Sequence, residues 1–214
     1  MCVDNEPGTV IVTFQRITPP MRTLLLSLAF APLVLAAQTR STLSAKPAET
    51  KGAIKWLTIE EAQAQAKKAP KPLMVDVYTT WCGPCKMLDA KTFSDARLAE
   101  YVNKNFYPVK FNAESGTAVT FKGQKLENPD FDPGRVGGRN GTHQLTYMIA
   151  NVQGRIAYPT VVYLDSDLNV LAPVQGYLTP DQMEPILNYF GGAHYKGKDY
   201  QTFMGEFKPK WTAQ

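Results

Sequence analysis

The sequence has little of what would point to a metal centre or a nucleic-acid partner. It contains only three cysteines and two histidines in 214 residues, whereas a structural zinc site needs about four such ligands close together. The formal net charge is +4, and no run of lysine and arginine is interleaved with aromatic residues as on a nucleic-acid-binding surface. These shortages argue against a nucleic-acid partner and against a zinc centre.

The first 53 residues have the composition of a leader followed by a linker. Residues 21–37 start with a positive charge, continue as a short apolar run that Pro32 interrupts, and close on alanines, which is typical of a secretory signal peptide. An uncleaved membrane anchor is the alternative, although the run is short for a transmembrane helix. Because a signal peptide stands at the N-terminus, we interpret residues 1–20 as upstream sequence added by a wrong start codon, with Met21 the true start. Residues 38–53 are mostly small and polar and are predicted to be a flexible linker.

The remaining residues, 54–214, are predicted to form one domain of alternating helices and strands. Apolar periodicity and capping signals predict helices over 58–68, 83–90, 95–103, 142–152, 179–190 and 198–207, and strands over 73–78, 106–111, 160–164 and 170–174. This order predicts an α/β fold with a mixed central β-sheet flanked by helices on both faces, parallel between its early strands and antiparallel in its last hairpin. Residues 112–141 are rich in glycine, asparagine, aspartate and proline, and we expect them to lack regular structure and to be functional or mobile.

The chemistry of the chain is concentrated in two cysteines. Cleavage of the leader would remove Cys2, and the mature chain would then keep only Cys82 and Cys85. They stand in the string Trp81-Cys82-Gly83-Pro84-Cys85-Lys86, which follows a predicted strand and opens a predicted helix. A helix N-terminus favours negative charge, so we predict Cys82 to be the nucleophilic thiolate and Cys85 to be the thiol that resolves a mixed disulfide.

Other interpretations of this region remain open. A zinc ligand pair would need two more ligands, but His143 and His194 lie far from the cysteines and from each other in sequence. A purely structural disulfide is possible in an exported protein, although so short a loop would constrain the unfolded chain little. The glycine-rich residues 134–141 lack the Gly-Lys-Ser/Thr ending of a phosphate loop, and we interpret them as loop, with substrate contact as the alternative.

The string around the two cysteines resembles the active site of the thioredoxin superfamily without a departure. The resemblance implies a thioredoxin fold, with residues 112–141 inserted before the half that carries a cis-proline. It also implies a reversible Cys82–Cys85 disulfide, no bound cofactor, and substrate contacts at Trp81, Gly83 and Pro84.

Two further pairs of residues take their expected roles from the same resemblance. Asp76 matches a buried carboxylate that accepts the proton of the resolving thiol, and Lys110 matches a lysine that faces it; a structural carboxylate and a solvent-directed lysine are the alternatives. Pro159 matches the cis-proline opposite the disulfide, which offers backbone groups to a bound peptide, although a trans-proline at a strand start is also possible. Tyr158 departs from the smaller residues often found before this proline and is expected to influence partner choice or redox potential.

The flanking sequence is similar to one branch of the superfamily. Residues 71–76 and 91–95 are similar to the C-terminal domain of the periplasmic transmembrane disulfide reductase and its stand-alone relatives. This similarity implies a monomeric, exported reductase of other exported proteins, without stable membrane insertion after cleavage and with an upstream electron donor. The alternatives are an oxidase or isomerase, and a non-catalytic module that binds client proteins.

Overall fold

The central β-sheet has the mixed topology that the sequence predicts. The computed structural model describes residues 53–211 and contains six strands: β1 (Leu73–Tyr78), β2 (Tyr107–Asn112), β3 (Val119–Phe121), β4 (Gln124–Leu126), β5 (Thr160–Leu164) and β6 (Val170–Gln175). The main sheet has the order β2-β1-β5-β6. Strand β1 is parallel to β2 and antiparallel to β5, and β5 and β6 form an antiparallel hairpin. The predicted combination of early parallel and late antiparallel strands is therefore confirmed.

Over residues 53–211, six α-helices connect or flank these strands. They are α1 (Ile59–Lys68), α2 (Gly83–Met87), α3 (Ala96–Asn105), α4 (Gln144–Ala150), α5 (Pro180–Gly191) and α6 (Tyr200–Glu206). The capping box predicted for α1 is present: the Thr58 hydroxyl accepts from the Glu61 amide, and the Glu61 carboxylate accepts from the Thr58 amide. Helix α2 continues as a π-helical turn over Leu88–Thr92. Within the described residues, no helix is both long enough and apolar enough to span a membrane.

Two apolar layers, one on each face of the sheet, form the core. Strand β1 alternates between them, because successive side chains of a strand point to opposite faces. Leu73, Val75 and Val77 belong to the layer that contains residues of α1 and α4. Met74 belongs to the layer that contains residues of α3, α5 and α6. Asp76 shares the face of Met74, so its carboxylate enters an apolar layer and is 2 % exposed.

Part of the segment 112–141 has regular structure, so the prediction of an unstructured segment was wrong for residues 119–126. Strands β3 and β4 pair as a hairpin, and its turn residues Lys122 and Gly123 both have positive φ, as a tight two-residue hairpin turn requires. Phe121 and Leu126 are 2 % exposed and pack into the core layer of α1 and α4. The side chain of Gln63 on α1 also bonds to the hairpin backbone at 2.7 and 2.9 Å. We call residues 112–141 the insertion.

A buried histidine fastens the insertion to α4. His143 caps α4, and its Nδ1 accepts from the Leu145 amide at 3.0 Å. Because Nδ1 is an acceptor, Nε2 carries the hydrogen and donates to the Thr117 carbonyl oxygen at 3.2 Å. Burial lowers the pKa of His143, which favours this neutral form. His143 therefore has a structural role in this fold.

The two edges of the main sheet differ. Beside β2, the Leu57 amide donates to the Pro108 carbonyl at 2.9 Å and covers part of the edge. On the other side, β6 is the last strand, with Val170 exposed and Pro173 opposite Val162. The predictions of upstream sequence, signal peptide and linker for residues 1–20, 21–37 and 38–53 lie outside the described residues, except for Ala53.

Candidate active site

The two cysteines are joined at the start of α2. Cys82 is the N-cap residue of this helix, and its sulfur accepts from the Cys85 amide at 3.1 Å. The Cys82–Cys85 disulfide has an S–S distance of 2.08 Å and a Cα–Cα distance of 5.3 Å. Gly83 and Pro84 form the first helical turn between them, where proline loses no needed donor. Both cysteines are 3 % exposed, so the pair is closely covered even though it lies at a helix end.

A buried carboxylate and a lysine lie at paired positions of the neighbouring strands. Asp76 of β1 is in register with Lys110 of β2, and the Lys110 Nζ is 3.0 Å from Asp76 Oδ2. The same ammonium group also contacts the carboxylate of Asp89, which lies on the π-helical turn after α2. Lys110 therefore bridges a buried and a partly exposed carboxylate. It is not directed simply into solvent.

Burial dominates the acidity of Asp76. Desolvation raises the pKa of this carboxyl to about 6, while the charge and hydrogen bond of Lys110 act in the opposite direction. Burial alone would lower the pKa of Lys110, but attraction to Asp76 and hydrogen bonds to both aspartates raise it above its usual value. Asp76 Oδ1 is buried and has no hydrogen-bond partner among the described residues. Such a carboxyl can exchange a proton near neutral pH, which suits a proton acceptor.

An aromatic pair links the active-site turn to the cis-proline. The Tyr158–Pro159 peptide bond is cis, as the resemblance implied. The rings of Trp81 and Tyr158 meet edge to face with centroids 5.9 Å apart. Burial raises the pKa of the Tyr158 hydroxyl, against a smaller opposing effect of its hydrogen bond with Thr142. The sequence-predicted residues Trp81 and Tyr158 thus lie together, beside the dithiol turn.

A cavity of about 450 Å³ opens next to this aromatic pair. Its wall comes from the active-site turn, the insertion, α4 and the loop before the cis-proline: Trp81, Glu114, Arg139, Thr142, Tyr147, Gly154, Ile156, Ala157 and Tyr158. Glu114 Oε2 accepts from the indole nitrogen of Trp81 at 2.9 Å. The Arg139 guanidinium lies 5.4 Å from the centroid of the Trp81 ring. The insertion therefore supplies charged groups of both signs beside Trp81, the residue before Cys82.

Sequence reasoning missed Glu114, Arg139 and Asp89, although two of them left a signal. Asp89 follows Cys85 by four residues, which is about one helical turn. Glu114 is the second residue after β2, and the carboxyl ends of two parallel strands meet at one edge of a sheet. The Ala113 amide indeed donates to the Tyr78 carbonyl at 2.8 Å. Arg139 is brought to Trp81 by the course of the insertion, and no local pattern indicates that contact.

No metal site is evident beside these groups. Across residues 53–211, no three histidine, cysteine, aspartate or glutamate side chains are grouped so as to hold a metal ion. His143, which could have been a ligand, uses both ring nitrogens in bonds to the backbone.

Comparison with known proteins gives consistent matches over this region. A family model described as a thioredoxin-like domain matches residues 59–191. The thiol:disulfide interchange protein DsbD of Campylobacter jejuni (strain RM1221) is 29% identical over 86 residues, which are 40% of this chain and 15% of that protein. The chloroplastic thioredoxin Y of Oryza sativa subsp. japonica is 29% identical over 103 residues, covering 47% of this chain and 60% of that protein. The chain thus spans only a small part of the first of these relatives.

One solved structure is also similar to this chain. The solution structure of a thioredoxin from Thermus thermophilus is 18% identical in sequence, covers 68% of this chain and 95% of its own, and superposes with a TM-score of 0.47.

Proposed function

The chain belongs to the thioredoxin-like family of disulfide oxidoreductases, and on that premise we propose that it reduces disulfides of other exported proteins through Cys82 and Cys85. The observation that carries the proposal is the disulfide between these two residues at the start of α2. It is an oxidised dithiol in a position where a thiolate is stabilised by backbone amides. Nothing beyond the dithiol and its neighbours is needed for the exchange chemistry.

The proposed reaction has two steps. In the reduced protein, the Cys82 thiolate attacks one sulfur of the client disulfide, a mixed disulfide forms, and the other client sulfur leaves as a thiolate that takes a proton. Cys85 then loses its proton and attacks the Cys82 sulfur, which releases the second client thiol and leaves the Cys82–Cys85 disulfide. Asp76 is the proposed acceptor of the Cys85 proton, because its carboxyl exchanges protons near neutral pH.

The proposed direction and location rest on the sequence. The Gly-Pro dipeptide between the cysteines resembles that of reducing members of the family, and residues 21–37 have the pattern of a signal peptide. A reductase outside the cytoplasm needs an upstream dithiol donor, which the proposal includes. Similarity to a protein named for thiol:disulfide interchange supports this class of reaction. We propose a monomer without a bound cofactor, metal or nucleic acid.

The equilibrium reduction potential of the Cys82/Cys85 pair tests the direction. Purified protein is equilibrated with dithiothreitol or glutathione buffers, and the oxidised fraction is measured by thiol alkylation. A potential near about −270 mV, typical of thioredoxin, supports a reductase. A potential near about −120 mV, as in strong oxidants, would instead mean that the protein forms disulfides.

A second experiment separates an enzyme from a module that only binds clients. Cys82→Ser together with Cys85→Ser removes exchange chemistry while leaving the cavity beside Trp81 and Tyr158 in place. The proposed oxidoreductase loses all insulin reduction in this variant, and the matched Ser94→Ala variant, which changes an exposed hydroxyl elsewhere, retains it. A client-dependent activity that survives both serine substitutions would contradict the proposal.

A further inference from the structure

The cavity beside Trp81 contains a buried negative charge without a cationic partner. Glu114 is 7 % exposed and lines the cavity. The contact of its carboxylate is the indole N–H of Trp81 at 2.9 Å, and no lysine, arginine or histidine in the described part of the chain forms an ion pair with it. A charge that is removed from water is costly unless it is paired. A cationic group bound in the cavity would supply that pairing.

A positive charge without a carboxylate partner lies at the same cavity. Arg139 is exposed, and its guanidinium contacts the face of Trp81, the same indole whose N–H bonds to Glu114. No described aspartate or glutamate forms an ion pair with it. One unpaired charge thus lies at the N–H edge of the Trp81 ring and the other lies over its face. A ligand that carries both a cation and an anion a few ångströms apart would satisfy both.

We infer that this cavity binds the zwitterionic head group of a low-molecular-weight amino-acid disulfide such as cystine, with its ammonium group on Glu114 and its carboxylate on Arg139. The inference rests on the proposed function and adds a substrate class to it. Arginine and carboxylate form the strongest hydrogen-bonded pairs, and a guanidinium already held on an aromatic face is preorganised for one. A cavity of about 450 Å³ lies within the range of small-molecule sites, roughly 300–1,000 Å³.

The bound head group brings the ligand disulfide to the dithiol turn, because Trp81 directly precedes Cys82. The Cys82 thiolate attacks one ligand sulfur, the ligand S–S bond breaks, and one half leaves as a thiolate that takes a proton. Cys85 then attacks Cys82, the second half leaves as a thiol, and the protein disulfide forms. Two electrons pass from the protein dithiol to cystine, and two cysteine molecules result. The upstream donor of the proposed function restores the dithiol.

Three small disulfides with different charges test the inference. Cystine carries both groups, cystamine only the ammonium groups, and 3,3′-dithiodipropionate only the carboxylates. The pre-reduced protein is mixed with each, and oxidation of Cys82 and Cys85 is followed by acid quench and alkylation. Each rate constant is divided by that of dithiothreitol with the same reagent, which removes differences in intrinsic reactivity. Insulin serves as the protein disulfide.

The variants Glu114→Gln and Arg139→Gln should change selectivity in opposite directions. Loss of a hydrogen bond to a charged group typically costs about tenfold or more in binding. We therefore expect Glu114→Gln to lower the ratio of the cystamine rate to the dithiodipropionate rate about tenfold, and Arg139→Gln to raise it about tenfold. Both variants should lower the cystine rate relative to the insulin rate. Arg155→Gln, an exposed charge in the neighbouring loop that does not line the cavity, should leave the ratios unchanged.

A disturbed fold cannot produce opposite changes of one ratio, so this pattern would support the inference. Ratios that are the same in the parent protein and in both variants would overturn it. If insulin is reduced while the ratios do not move, only the cystine inference fails. If the parent protein reduces neither insulin nor any small disulfide, the proposed function fails as well.

Discussion

The ammonium group of Lys110 lies 3.0 Å from the carboxylate of Asp76, at directly paired positions of β2 and β1. The charge and hydrogen bond of the lysine only partly offset the burial of the carboxyl, and the nearby negative charge of Asp89 opposes them. The pKa of Asp76 is consequently raised to about 6 from an ordinary value of 3.8. The site thus keeps a carboxyl that is costly to ionise but useful for proton transfer.

Replacing Asp76 by asparagine should stabilise the oxidised protein at pH 7. The folded protein binds this proton more tightly than the unfolded chain does, so the stability of the parent protein falls as pH rises from about 3.8 to about 6. Above about pH 6 the carboxyl is ionised, and the cost of ionising it in the folded protein lowers the free energy of unfolding by at most about 3 kcal/mol. Urea unfolding of Asp76→Asn should show a gain at pH 7 that disappears near pH 4. A loss of stability at pH 7 would instead identify Asp76 as a structural carboxylate.

Replacing Asp89 by asparagine should lower the pKa of Asp76. The substitution removes one negative charge that raises this pKa, and it leaves the whole Lys110 ammonium to Asp76. Carboxyl-carbon NMR titration of Asp76 is the direct measurement, and the pH profile of insulin reduction should shift to lower pH with it. Glu100→Gln changes an exposed carboxylate on α3 and serves as the control. An unchanged Asp76 titration would mean that Asp89 has no influence on the site.

Protonation of His143 should loosen the attachment of the insertion. Burial lowers the pKa of His143 in the folded protein from its ordinary value of 6.5. The neutral imidazole therefore makes its full contribution to the free energy of unfolding above about pH 6.5, and this contribution is lost as pH falls towards the pKa of the folded protein. Because Asp76 has the opposite effect in an overlapping window, the quantity to measure is the difference in unfolding free energy between the parent protein and His143→Asn. That difference should decrease from pH 7 to pH 5. Ser94→Ala, which changes an exposed hydroxyl that does not titrate, is the control and should show a difference that does not vary with pH.

Replacing Glu184 by glutamine should release the C-terminal segment. The buried Glu184 carboxylate on α5 accepts from the Lys210 and Trp211 amides at 2.9 Å each. A neutral acceptor weakens these charge-assisted bonds, and we expect a loss of about 1–2 kcal/mol in unfolding free energy. Trp211, whose ring meets Tyr101 edge to face, should then become accessible to a fluorescence quencher. Glu206→Gln changes an exposed carboxylate on α6 and is the matched control, and equal quenching in both variants would contradict the prediction.

Local sequence signals were sufficient to predict the elements whose bounds depend on residues close in sequence. The bounds of β1 and β5 agree with the predicted strands, because both are short apolar runs that prolines precede at Pro72 and Pro159. Helix α1 begins at its capping box. Elsewhere the bounds differ by one or two residues at the ends of β2, of β6 and of several helices. Helix α2 passes into a π-helical turn that extends to Thr92, beyond the predicted residue 90.

The insertion could not be predicted in the same way. Its hairpin strands are three residues long, too short for a period to be recognised, and they are held by Gln63 of α1 and by burial of Phe121. The same holds for the charged cavity, since Glu114 and Arg139 meet at Trp81 only through tertiary structure. In the candidate site, the dithiol and its family-matched neighbours were predictable from the sequence, whereas Glu114 and Arg139, which could select a ligand, are brought together only by the tertiary structure.

Pro173 in the last strand of the sheet has a consequence for self-association. The Gly176 amide points inward to the Pro159 carbonyl, so by the alternation of a strand the ring nitrogen of Pro173 faces away from the sheet. A strand from another molecule that tried to extend the sheet at β6 would find no donor at that position. The proline thus discourages stacking of molecules edge to edge into fibrils, even where exposed Val170 offers an apolar contact.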